Sequence, residues 1–216
     1  MKRIVLSLAI VAGLTFSTTS CKKSAEAADA QVVAEATVEA VTFDVNTAES
    51  VIEWEGGKVI GGTHNGTIAL SSGAVSVKDG VVEAGTFVID MNSIAVLDIE
   101  DAEKKGWLEG HLKGATAENA DHFFNVSEFP EGKFEITSVV EGNVEGNLTL
   151  KGITKNVKFP ATVTVTDNDV TIVSEAFSID RTQWNVNYNS ESATDVAKDN
   201  IIKNNIDIKL TVKATK

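Results

Sequence analysis

Three histidines, His64, His111 and His122, and one cysteine, Cys21, are the side chains in this 216-residue chain best suited to ligate a metal or attack a substrate. Their spacing supports neither. His111 and His122 lie closest in sequence, yet neither falls in a close ligand spacing such as His-x-x-x-His, and no second cysteine can complete a set. Asp98, Glu100, Asp101 and Glu103 offer oxygens at the density of a calcium loop, but the glycine required at its sixth position is missing, so a solvated helix start is the better reading. No Gly-x-Ser-x-Gly, His-Glu-x-x-His or glycine-rich phosphate loop followed by a helix occurs. With 31 Asp and Glu, no carboxylate pair stands out as an acid–base couple. The expectation is a protein that is not an enzyme, with no catalytic residue, no metal and no cofactor.

The elements that must position any site are strands. In Gly146–Pro160, Val144, Leu148 and Leu150 alternate with Glu145, Asn147, Thr149 and Lys151; beyond Gly152, Val157, Phe159, Ala161, Val163 and Val165 alternate with lysines and threonines. A two-residue period written twice around a glycine is a β-hairpin with one wet face. The same pattern recurs at Val51–Glu55, Gly66–Leu70, Ala74–Lys78, Val82–Asp90, Lys133–Val140, Val170–Asp180 and Asn204–Lys213. Asp79-Gly80 is the strongest local hairpin signal. Around it, Val82, Ala84, Thr86 and Val88 are expected on one face, Val81, Gly85, Phe87 and Ile89 on the other. Asp98–Lys113, acidic first and basic later, reads as a helical excursion between strands. Both prolines are expected near strand ends. The fold class is therefore all-β. An eight-stranded antiparallel barrel with a short helical excursion is preferred to a sandwich because closure leaves no edges. Eight strands leave a bore that side chains fill or that holds one small ligand.

Residues 1–20 read as a targeting segment: Met1-Lys2-Arg3 is basic, Ile4–Leu14 is apolar but too short to span a bilayer, and small residues precede Cys21. A cysteine in that place resembles the lipobox of bacterial lipoproteins. Cys21 is then the lipid attachment site, which makes the protein an exported, membrane-anchored lipoprotein of the periplasm or outer membrane. Thr18 stands where that family usually has Leu. Residues 21–42, without Gly or aromatics, are expected to be a flexible acidic and Ala-rich tether, leaving 43–216 as one domain without a disulfide. Removing residues 1–20 takes the formal charge from −12 to −14, which excludes nucleic acid and a basic grip on anionic lipid.

Three stretches then carry a resemblance. Gly85–Ile94 continues through Gly110-His111-Leu112-Lys113 and Asp121-His122-Phe123-Phe124 to Phe129-Pro130 and Phe134; the others are Gly146–Lys155 and Phe177–Trp184. In order and spacing the chain resembles the YceI-like family, exported bacterial proteins with a lipocalin-like barrel around a polyisoprenoid chain. Lys151, Trp184-Asn185 and the inserted Gly114–Asn119 depart from the family pattern. The resemblance implies non-catalytic binding, transport or sequestration of a long isoprenoid lipid, of polyprenyl or isoprenoid-quinone type. Its expected ligand-binding residues are Phe87, Ile89, Phe123, Phe124, Phe134, Leu148, Leu150, Phe159, Phe177, Ile179, Arg181 and Trp184. Phe123 and Phe124 are placed to gate a mouth. Arg181 has three open roles: orienting a polar head, pairing with Asp180, or stacking on the Trp184 indole. Expected partners are the isoprenoid lipid and the membrane through the anchor, with a homodimer also allowed. The alternative is an envelope stress or interaction module whose barrel is solid.

Overall fold

The computed structural model describes residues 23–25 and 27–216. The targeting segment and Cys21 lie outside the described residues. The described strands are β1 (Lys23–Ser24), β2 (Ala28–Asp29), β3 (Val41–Val45), β4 (Val51–Gly57), β5 (Thr63–Lys78), β6 (Val81–Val96), β7 (Glu131–Val140), β8 (Asn143–Leu150), β9 (Ile153–Val165), β10 (Asp169–Ser174), β11 (Phe177–Asp180) and β12 (Asn205–Thr215). Eight of them close a ring of antiparallel neighbours, running from β4 in order through β5, β6, β7, β8, β9 and β10 to β12 and back to β4. This is the expected eight-stranded barrel.

Two of its positions are built from broken strands. β3 continues the place of β4, pairing with the far half of β5 and the end of β12, while β11 continues that of β10 along β12. In contrast, Gly66–Leu70 and Ala74–Lys78 form one 16-residue strand, bent by register shifts at Thr67/Ala69 and Leu70/Ser72 rather than interrupted. A further shift pairs Ser76 with Ala84 and Val77 with Val82, leaving Glu83 as an extra residue. Consequently Val82 is buried on the same side as Gly85, Phe87 and Ile89, not on the opposite face expected from plain alternation. Pro160 likewise sits inside β9, where the ladder passes from β8 to β10, and not near a strand end.

Three two-residue hairpins turn at Asp79-Gly80, Glu141-Gly142 and Lys151-Gly152, with both residues at positive φ in each. That conformation matches the twist of the flanking strands and places glycine where it costs least. Alternation of strand direction sends the connections 58–62, 97–130, 151–152 and 181–204 to one end, the mouth. The turns at 79–80, 141–142 and 166–168 lie at the other, which is closed by buried Phe43, Val75, Val77, Val82, Val170 and Ala214, while 46–50 joins β3 to β4 part-way along the wall. The helix expected within 98–113 is α1 (Ala102–Lys113), on the mouth side. Asp101 caps it by accepting from Lys104 N at 2.9 Å, Gly114 ends it at φ 70°, and none of its residues is buried.

The wall has one seam. Above the Glu175 N to Pro160 O bond, at 3.0 Å, β9 and β11 no longer pair with each other. The first described residues occupy the gap: Lys23 and Ser24 pair parallel to Phe177 and Ser178, and Ala28 and Asp29 pair antiparallel to Asn156 and Lys155. Ala25 is buried in the core cluster. Farther along, Gln31 exchanges bonds with Asn147, donating its N–H to Oδ1 at 2.9 Å and accepting from Nδ2 at 2.7 Å, and Thr37 donates twice to Glu83. The composition of 21–42 suggests a tether, yet over its described part the segment is laid along the wall. The reason is that unpaired strand edges accept any extended backbone, and the small side chains of Ala25 and Ala27 fit where a large one would not.

Candidate functional site: a cavity beneath the barrel mouth

Each wall strand turns alternate side chains inward. Because the residues nearest the mouth do not meet across the bore, a cavity of about 810 Å³ remains, within the usual 300–1,000 Å³ of small-molecule sites. All twelve residues expected from the resemblance line it: Phe87 and Ile89 from β6, Phe134 from β7, Leu148 and Leu150 from β8, Phe159 from β9, and Phe177 and Ile179 from β11. Arg181 and Trp184 come from the 3-10 turn after β11, and Phe123 and Phe124 from the 97–130 connection. A band of phenylalanines runs round the interior, Phe87 to Phe134 at 6.2 Å, Phe134 to Phe159 at 5.8 Å, and Phe159 stacked on Phe177 at 4.4 Å.

Sequence reasoning missed a large part of the lining. Ile52 and Trp54 of β4, and Ile206, Ile208, Leu210 and Val212 of β12, complete the wall, and Leu108, His111 and Leu112 hang over it from α1. The strand residues were visible in the alternation of β12. What the sequence lacked was the closure that brings β12 beside β4. The Nε1 of Trp54 is buried without a partner among the described residues.

Arg181 resolves its three open roles. Its side chain is 2 % exposed. It donates from Nε to Lys203 O at 3.0 Å, from Nη1 to Val186 O, and from Nη2 to Tyr188 O at 3.0 Å and Ile202 O at 3.2 Å. Four backbone carbonyls of the 181–204 connection are thus gathered onto one guanidinium, which makes Arg181 the staple of that side of the mouth. The cation lies 5.9 Å from the centroid of Phe123, and Asp180 turns to Thr182 instead, accepting from its N–H at 2.9 Å and its hydroxyl at 2.7 Å. Burial lowers the Arg181 pKa, an effect opposed by the negative charges of Asp180 and Glu191. Trp184 is fully buried and donates Nε1–H to Leu148 O at 3.0 Å, pinning the same connection to β8.

Packed against the same connection, His111 Nε2 and His122 Nδ1 lie 2.8 Å apart, so one donates to the other. Tyr188 stacks on His122 at 4.0 Å, while Trp107, Phe123 and Tyr188 each meet the His111 ring within 5.3 Å. Burial, then the neighbouring His122, holds the His111 pKa below the usual histidine value. His64 stands apart and contacts Asp98 Oδ2 at 2.8 Å. Among the described residues no three of His, Cys, Asp and Glu gather where they could hold a metal. The polar groups of the mouth therefore hold the connections and each other, and the surface left for a guest is mostly apolar.

Known proteins agree with this architecture. UPF0312 proteins of Yersinia pestis and Yersinia pseudotuberculosis are 37 % identical over 86 residues, a match that spans 38 % of this chain and 38 % of theirs. Among solved structures, Burkholderia cenocepacia BcnA superposes with a TM-score of 0.55 at 20 % identity, covering 79 % of this chain and 99 % of that one. A polyisoprenoid binding domain from Saccharophagus degradans, implicated in plant cell wall breakdown, superposes at 0.56 and 12 % identity, covering 80 % and 97 %. The YceI-like domain itself matches residues 43–214. On that match, which takes in every strand of the closed ring, the chain belongs to the YceI-like family.

Proposed function

We propose that the barrel binds one long apolar chain of isoprenoid type without transforming it, and that a lipid on Cys21 keeps it at a membrane of the bacterial envelope. The observation that carries the reading is the cavity: about 810 Å³ open beneath the mouth and lined mostly by aliphatic and aromatic side chains, with Lys58, Asn189, Asp199, Asn200 and Lys203 contributed by the connections of the mouth. An apolar guest gains about 0.8 kcal/mol for each CH₂ taken from water, so even ten buried groups offset much of the cost of ordering a flexible chain. The likeness to a polyisoprenoid binding domain supports the class of ligand. The alternative of a solid module rested on a filled bore, and side chains fill this bore only at its far end.

Native mass spectrometry of the purified chain, followed by lipid extraction, tests the proposal. A bound or added prenyl lipid should appear as a discrete mass increment. Leu148→Trp, which projects an indole into the cavity, should abolish it without unfolding the barrel. A ligand-free protein that refuses a range of added prenyl alcohols and quinones would leave the solid-module reading in possession. For the anchor, labelled palmitate should be incorporated in cells by the natural chain and not by Cys21→Ala.

A further inference from the structure

We infer that the rim of the mouth is a docking surface for an uncharged, zwitterionic phospholipid bilayer, seated so that the cavity opens directly onto the lipid. The inference rests on the proposed apolar-chain site and adds where that chain is collected.

Four large apolar side chains stand out of the rim: Val59 is 46 % exposed, Ile60 59 %, Leu97 60 % and Trp107 69 %. Single exposed apolar residues carry no meaning, and the other exposed ones among the described residues lie along strands, turns and the N-terminal segment; these four stand on the connections of the mouth, Val59 and Ile60 on 58–62, Leu97 and Trp107 on 97–130. Leu97 donates its N–H to Asn65 O at 2.9 Å, and the next residue, Asp98, contacts the His64 ring, which sets Leu97 beside the start of β5 that follows the 58–62 loop. Ile60 and Trp107 also line the cavity, so the outer patch and the inner lining form one apolar surface. A helix with no buried residue and a solvent-facing indole at the edge of such an opening suits the water–lipid boundary, where an indole keeps its ring in lipid and its N–H wet.

Charge selects the kind of membrane. The chain carries −12, and beside the rim the acidic Asp98, Glu100, Asp101 and Glu103 are accompanied by Lys58, Lys104 and Lys105, so no cluster of cations is offered to an anionic surface, the net charge opposes one, and a neutral surface is not opposed.

The test uses residues 22–216, which keep every described residue and lack both Cys21 and the apolar run Ile4–Leu14, and vesicles of phosphatidylcholine. The protein should float with the vesicles, and brominated phosphatidylcholine should quench its tryptophan emission, with the quenched component missing in Trp107→Phe. Val59→Ser combined with Leu97→Ser, neither of which lines the cavity, should weaken flotation about tenfold or more and leave the affinity for a short prenyl alcohol in solution unchanged. The inference fails if the chain ignores these vesicles, binds only those containing anionic lipid, or binds equally well in the double variant. It fails also if light scattering shows a dimer that the double variant converts to a monomer. A chain that docks normally yet takes up no prenyl alcohol upholds the docking surface and refutes the apolar-chain site instead.

Discussion

Arg181 and His111 share the mouth, and both are charged or chargeable groups withdrawn from water. For Arg181 the cost of burial is offset by four carbonyl acceptors, so replacing it should strand those oxygens more than it removes a charge. Arg181→Met is expected to lower stability by about 3–5 kcal/mol in urea unfolding. Arg181→Lys should recover only part of this, since a single ammonium cannot reach the fork of four oxygens. His111 is a question of sign. Its folded pKa is depressed, chiefly by burial, so as pH falls the unfolded chain takes up the proton first. The contribution of the neutral ring is complete above about pH 6.5 and is lost as the solution is acidified. The melting temperature should therefore drop as the pH falls below about 6.5, and His111→Gln should flatten that drop. No spacing rule could have found this cluster: His111 and His122 sit on opposite sides of the Gly114 cap, and Tyr188 enters from a different connection altogether.

At the scale of elements, close approach of backbones decides where side chains are tolerated. A Cβ on Gly66 would stand 1.8 Å from Ala95 O and 2.7 Å from Trp54 Cζ2. Gly66→Ala must push β5 away from β6 at the place where both bend, and about 1–3 kcal/mol of destabilisation is expected in chemical denaturation, with the strain felt at the indole. Strand identity was legible because alternation of apolar and polar residues survives burial on one face only. Val144, Leu148 and Leu150 were placed inward on that ground, and all three line the cavity. The bulge at Glu83 was not legible, since an extra residue changes the phase of the pattern without changing its composition; Val82 was assigned to the wrong face for that reason. The 16-residue reach of β5 was hidden likewise, because Ser71, Ser72 and Gly73 look like a turn and are in fact a bend within a continuous ladder.

For the molecule as a whole, the sequence conveyed the number of strands and their antiparallel order, and the resemblance named the lining; an open bore could not be read from either. Periodicity says which way a side chain points and is silent on whether opposing side chains touch. It was silent, too, on the segment after Cys21, whose composition resembles a solvated linker. Family membership ends at residue 43, yet the barrel does not: its last gap is closed by Lys23–Asp29. A chain trimmed to the family boundary would present two bare ladders, one along Ile153–Phe159 and one along Phe177–Asp180, side by side over a greasy interior. Such a fragment should be sticky, forming oligomers in size-exclusion chromatography that restoring residues 23–42 dissolves. The stretch that looks like a leash is thus a stave of its own vessel, spanning the one place where the neighbouring ladders part.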